Sequence, residues 1–484
     1  MTHRPPSRLH TALSRVRQTR VTEVCGRVVQ LIGLVIESEG PAAAMGEVCR
    51  IESAGQQGST LAEVVGFRNH HLLLMPLGEI HGLHPGSEVI ATGAPLRVGV
   101  GASLLGRVID GLGQPIDELG PVLTDETISL TQPPPHPLKR QRIQKVFQTG
   151  IKALDTFTPC GRGQRLGIFA GSGVGKSTLL GMMASQAEAD VNVIALIGER
   201  GREVREFIER DLDAAGRRKS VVVVATSNES ALNRVKGAFL AMAIAEYFRN
   251  QGKNVLLMMD SVTRFAMAQR EIGLAVGEPP ASRGYTPSVF SLLPQLLERA
   301  GTGERGSITG LFTVLVEADD MNDPIADSVR SILDGHVVLT RELATLNHYP
   351  AIDVLQSVSR LDRELYHGEQ SRLSAAAREH LALYRKNQDL INIGAYPPGS
   401  NAAIDRAIAL HQPLNRFFRQ NVNEGFSTSQ SWSLLAEAMA PPATPKPAAA
   451  ARTAPAAPDS RLTAFDLRRP PLDSRPSALT SAPN

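Results

Sequence analysis

At 484 residues the chain is too long for one ordinary domain and predicts two to four. A hydrophobic share of 42% is that of a globular protein, and a net charge of +3 gives no global field that would draw in nucleic acid. Apolar runs such as Val221 to Ala225 fall far short of the roughly 20 residues a membrane span needs, no apolar secretory segment occurs near the start, and Cys25, Cys49 and Cys160 are too scattered for a metal site or a disulfide framework, which suits a reducing cytoplasm.

In chain order, residues 1–21 are basic and contain no acid; Arg4, Arg8, Arg15, Arg17 and Arg20 surround Leu9, Leu13 and Val16 on one helical stripe. A solvated arm, a short amphipathic helix for a partner or an acidic lipid, and a transit peptide all fit this pattern. Residues 22–95 carry short β-rich runs, among them Arg27 to Ile36, Leu61 to Phe67 and His71 to Met75, separated by turn residues; they predict a small closed barrel. No interleaved aromatic and basic residues mark those runs, so the barrel reads as a structural collar and not as a nucleic-acid reader. Residues 96–150 read as a connector, with a strand and tight turn over Leu104 to Gly113 and a semi-rigid segment from Pro133 to Pro137.

From 151 to 365 strand and helix signals alternate, which predicts an α/β domain with a parallel sheet between helical layers. Strands are expected at Leu166–Phe169, Val191–Gly198, Val221–Thr226, Asn254–Asp260 and Ile308–Val316. Thr226 and Glu229 suggest a capping box for a long helix reaching Asn250, with Leu232, Val235, Phe239 and Met242 on its apolar face. Residues 366–440 read as helical, and the Pro/Ala-rich residues 441–484 read as a disordered tail in which Leu462, Phe465 and Leu467 could form a docking motif.

The chemistry concentrates at strand ends. Ala170-Gly171-Ser172-Gly173-Val174-Gly175-Lys176-Ser177, between a strand and a helix opening with Thr178, is a phosphate-binding loop. Its glycines let backbone N–H groups converge on phosphate oxygens, Lys176 supplies a point charge, and the Ser177 hydroxyl can ligate Mg²⁺. Ala170 stands where the first glycine is usual. Val255 to Met259 followed by Asp260 is an apolar strand ending in a carboxylate that can hold Mg²⁺ through water. Glu199, in Gly198-Glu199-Arg200-Gly201-Arg202-Glu203, ends another strand, where a carboxylate can orient water toward a γ-phosphate, and Arg200 can sense that phosphate. Glu203 fits a solvated helix start equally well.

These motifs resemble the catalytic heads of rotary ATP synthases and their relatives, and Pro350 to Arg360 resembles the signature of that superfamily. Within it the chain is most similar to the flagellar and type III secretion ATPases, on Asp260 to Ile272, Gly277 to Pro280, Arg283 to Tyr285, Asn322 to Asp327 and Ile391 to Tyr396, with the resemblance spanning about residues 22–425. The resemblance implies a RecA-like P-loop domain in a cytoplasmic, Mg²⁺-dependent ATPase on a homohexameric ring, peripheral to the inner membrane at an export apparatus. Arg360 then matches an arginine finger entering the neighbouring subunit's site, Tyr349 an aromatic stacking on adenine, and 277–287 a loop facing the central pore. Implied partners are a stator-like regulator on the N-terminal arm, a stalk protein in the pore, export chaperones and substrates, and the membrane export gate. Glu199 and Arg360 in one chain favour a ring whose interfaces are all active. A virulence-type secretion ATPase is the nearest alternative; an ATP synthase head subunit or an RNA translocase would need a partner chain or RNA-stimulated hydrolysis.

Overall fold

The computed structural model describes residues 24–52, 58–80, 82–124, 126–316 and 323–440. The basic arm 1–21, the tail 441–484 and Asn322 of the resemblance motif lie outside the described residues.

Six strands, β1 (Cys25–Ile32), β2 (Val35–Glu39), β3 (Glu47–Glu52), β4 (Ser59–Arg68), β5 (His71–Pro76) and β6 (Glu88–Pro95), close into a barrel of order β1-β2-β5-β4-β3-β6. Side chains alternate across a strand, and β5 uses both of its faces. Leu72 and Leu74 fill the barrel with Ile36, Ile51 and Val64. Leu73 and Met75 point outward and join the core of the central domain. The Lys236–Glu63 ion pair at 2.6 Å adds a polar tie between the two.

The connector contributes more than a link. β7 (Arg97–Val100) and β9 (Glu126–Ser129) form an antiparallel ribbon, while β8 (Val108–Asp110) lies parallel to β12 (Ser220–Ala225) as the edge strand of the central sheet. Arg299, 1% exposed, pairs with Glu246 at 2.5 and 3.0 Å and donates to the Leu130 carbonyl at 2.7 Å, which pins the connector to the central domain. Removing one partner of so buried a pair costs about 3–5 kcal/mol.

The central sheet adds β10 (Arg165–Ala170), β11 (Val191–Ile197), β13 (Asn254–Asp260), β14 (Gly301–Thr302), β15 (Ser307–Leu315), β16 (Gly335–Leu339) and β17 (Val358–Ser359). Its order is β17-β16-β10-β15-β13-β11-β12-β8, parallel except for β17, with β14 antiparallel beside β15. β11 and β12 are buried along their whole length, as a parallel sheet covered on both faces requires. One face carries the helices Ala231–Asn250, Val262–Val276 and Pro287–Leu297. The other carries Lys152–Phe157 and Lys176–Gln186, and there Leu410, Leu414, Trp432 and Leu435 of the C-terminal helices join the same core.

The capping box expected at Thr226 is displaced. Thr226 N–H does donate to Glu229 at 2.9 Å, but this closes a turn. The helix begins four residues later, capped by Ser230, whose hydroxyl accepts from Asn233 N–H.

Candidate active site

The carboxyl ends of β10, β11 and β13 meet at one end of the sheet, the place where open parallel sheets present ligand sites. β10 ends at Ala170, which is 1% exposed and whose carbonyl accepts from Val316 N–H. Alanine serves there as the last residue of a buried strand. Gly171 to Gly175 form the turn that follows, with Val174 buried and Ser172 and Gly173 exposed. Gly175 adopts φ 88°, a left-handed conformation suited to glycine. The helix Lys176–Gln186 starts immediately after it without a side-chain cap. The N–H groups of its first turn, Lys176, Ser177 and Thr178, therefore face the loop as a site for an anion.

Lys176 Nζ lies 2.5 Å from Asp260 Oδ1 and 3.6 Å from Glu199 Oε1. Burial works to lower the lysine's proton affinity, but the two carboxylates raise it above its ordinary value. Glu199 is pushed up to about 7, chiefly by burial and then by the Asp260 charge. Its buried Oε1 has no hydrogen-bond partner, only the lysine charge. A loop rich in free N–H groups, a lysine, the Ser177 hydroxyl, the Asp260 carboxylate and an unsatisfied carboxylate oxygen form a donor set that fits a nucleoside triphosphate with a divalent cation.

Two further residues belong to this constellation and were not singled out from the sequence. Thr313, fully buried on β15, donates its hydroxyl to Asp260 Oδ1 at 2.7 Å. Arg264 packs against Gly198, where an added Cβ would come within 2.8 Å of the arginine Cβ, and its buried Nε has no hydrogen-bond partner. An arginine shortly after the strand-ending aspartate was the available signal for the second; nothing local marks the first.

The remaining candidates divide. The Tyr349 ring lies 3.4 Å from the Cβ position of Gly175 and is 42% exposed, so it flanks the loop and offers a face for stacking. Arg200 turns away: its side chain is 77% exposed and sits 3.8 Å from Glu203. Arg360 is not brought to the Lys176 cluster. It is exposed in a separate cleft of about 340 Å³ with Asp327, Arg330, Gly335, His336 and Val358, and its guanidinium donates to the Arg330 carbonyl at 3.2 Å.

Comparison with known proteins finds the same domain order. The family model of the ATP synthase alpha/beta nucleotide-binding domain matches residues 150–359, that of the beta-barrel domain of the same family matches 28–93, and that of the T3SS EscN ATPase C-terminal domain matches 367–437. The flagellum-specific ATP synthase of Bacillus subtilis is 54% identical over 413 residues, which is 85% of this chain and 94% of that protein. The assembled ATPase EscN of the enteropathogenic E. coli type III secretion system aligns with a TM-score of 0.82 at 46% identity, over 86% of this chain and 100% of EscN. EscN in complex with its central stalk EscO aligns with a TM-score of 0.80 at 45% identity, over the same shares.

Proposed function

From the premise that the chain belongs to the ATP synthase alpha/beta family, in its group of flagellum-specific and type III secretion ATPases, we propose that it hydrolyses ATP with Mg²⁺ to assist protein export by a flagellar apparatus. The observation that carries this reading is the gathering of Lys176, Glu199 and Asp260 at the strand ends, while Arg360 lies exposed in its own cleft. Loop N–H groups and Lys176 bind the phosphates, and Tyr349 stacks on the adenine. Ser177 and Asp260 would hold Mg²⁺, which would supply charge neutralisation on the phosphates. Glu199, near neutral in its proton affinity, orients water and takes its proton. Arg360 acts on the neighbouring subunit's site in a homohexamer, where a finger is worth about 10³-fold or more.

The assembled ATPase EscN, and its complex with the central stalk EscO, support a ring with a central stalk for this chain. The 54% identity to the Bacillus subtilis protein supports the flagellar assignment over a virulence-type system. No helix among the described residues is long and apolar enough to cross a membrane. The likeness to flagellum-specific ATP synthases supports a cytoplasmic enzyme peripheral to the inner-membrane export gate. A stator-like regulator, chaperones and export substrates complete that proposal.

The test is phosphate release by the purified full chain with Mg²⁺ and ATP. Glu199→Gln should keep nucleotide binding and lose about 10³-fold in turnover. Turnover that survives Glu199→Gln, or that requires RNA, would overturn the reading.

A further inference from the structure

Asp260 Oδ1 carries two donors, Lys176 Nζ at 2.5 Å and the Thr313 hydroxyl at 2.7 Å. They differ in what nucleotide binding does to them. Lys176 stands at the mouth of the phosphate loop and on the proposed reading has phosphate oxygens to serve. Thr313 is fully buried and has nowhere else to go except the Met259 carbonyl, at a longer 3.3 Å. A hydroxyl has one proton, and the shorter contact to a charged acceptor takes it.

The register of the sheet explains why this hydroxyl is where it is. β15 lies between the loop strand and the Asp260 strand, with Thr313 level with Ile168 of β10 and one step past the Met259–Phe312 pair with β13. Threonine is stiff about χ1 in a strand, so its hydroxyl direction is set by the backbone. Asp260 is itself only 3% exposed. A buried carboxylate that loses its lysine and has no second fixed donor is free to rotate toward whichever cation is nearest.

We propose that Thr313 is a positioning residue for Asp260, holding one carboxylate oxygen so that the other keeps a fixed orientation toward the divalent cation when Lys176 engages phosphate. The inference rests on the nucleotide-hydrolase reading above and adds to it a residue that never touches substrate. It also explains a buried polar side chain set between Leu311-Phe312 and Val314-Leu315 at the site end of β15.

The test measures binding of a non-hydrolysable fluorescent ATP analogue to the full chain, once with Mg²⁺ and once with EDTA. Wild type should bind more tightly with Mg²⁺. Thr313→Val should lose about tenfold of that tightening, equivalent to roughly 1.4 kcal/mol, with its affinity in EDTA unchanged. Thr313→Ser, which restores the hydroxyl, should retain the Mg²⁺ increment. Thr313→Ala compared with Thr313→Ser repeats the contrast without the methyl group, should the valine perturb folding. A full Mg²⁺ increment in Thr313→Val, or an equal loss with Mg²⁺ and with EDTA, would overturn the positioning role and leave a structural one. Wild type that binds the analogue equally with and without Mg²⁺ would overturn the hydrolase reading beneath it.

Discussion

The two halves of the proposed site handle charge in opposite ways. Lys176, Glu199 and Asp260 are side chains exposed by only 12%, 12% and 4%, and they pair with one another inside a single chain. Arg360 is exposed, and its guanidinium has one hydrogen bond among the described residues, to the Arg330 carbonyl. A buried charge must be compensated when the chain folds, because its desolvation is charged against folding alone. An arginine at the surface can remain hydrated until another molecule covers it. The cleft around Arg360 also holds His336 and Arg330, the latter paired to Asp327 at 2.7 Å. Burial and then the Arg330 charge hold His336 below its ordinary proton affinity. The contrast fits the proposal that folding finishes the first half and assembly the second.

That contrast is most severely tested by Arg360→Ala, expected to lower ATP turnover on the order of 10³-fold with nucleotide binding preserved. Mixing it with Glu199→Gln subunits should restore part of the activity, because some interfaces then combine an intact Glu199 with an intact finger. A mixture no more active than its components would place the finger in its own chain's site and end the distinction between the halves.

A second prediction concerns the cost of the buried half. In the folded, nucleotide-free chain Glu199 keeps its proton up to about pH 7, whereas its ordinary value is 4.5. The folded state thus binds the proton more tightly than the unfolded state, so stability falls as pH rises from about 4.5 to about 7 and levels off above. Glu199→Gln removes this dependence and should melt a few degrees higher than wild type at pH 8 but not at pH 4.5. Identical melting profiles across that range would show that the cluster compensates its own charges completely.

Smaller effects sharpen the borders of each half. Tyr349→Ala should weaken binding of an adenine nucleotide about tenfold, from the loss of stacking, and leave inorganic triphosphate binding unchanged; a loss shared by both ligands would assign the ring to loop support. Ser230→Ala, which removes the cap of the helix Ala231–Asn250, should cost about 1 kcal/mol in chemical denaturation without altering turnover.

What could be read in the sequence was what one short segment can specify. Glycines at 171, 173 and 175, then Lys176 and Ser177, announce a phosphate loop without any partner strand. Asp260 and Glu199 are legible because each closes an apolar run, and in a parallel sheet such ends converge. Thr313 was not legible, since only the pairing of β15 with β13 carries its hydroxyl to Asp260. The same limit applies to β8, whose three residues become a strand of the central sheet only by lying along β12. The misplaced cap at Thr226 shows a local rule losing to a competitor: Ser230, four residues on, satisfies the helix N–H group, and Glu229 is left to close a turn.

The outward face of β5 has a consequence for how this protein can be divided. Leu73 and Met75 complete the central core from within the barrel, and β8 borders the central sheet from within the connector. A truncation that starts at the phosphate loop's own domain would therefore strip an edge from the sheet and uncover apolar surface at once. The collar is not a detachable module: in this chain the motor and its crown share a wall, and one cannot be transplanted without rebuilding the other.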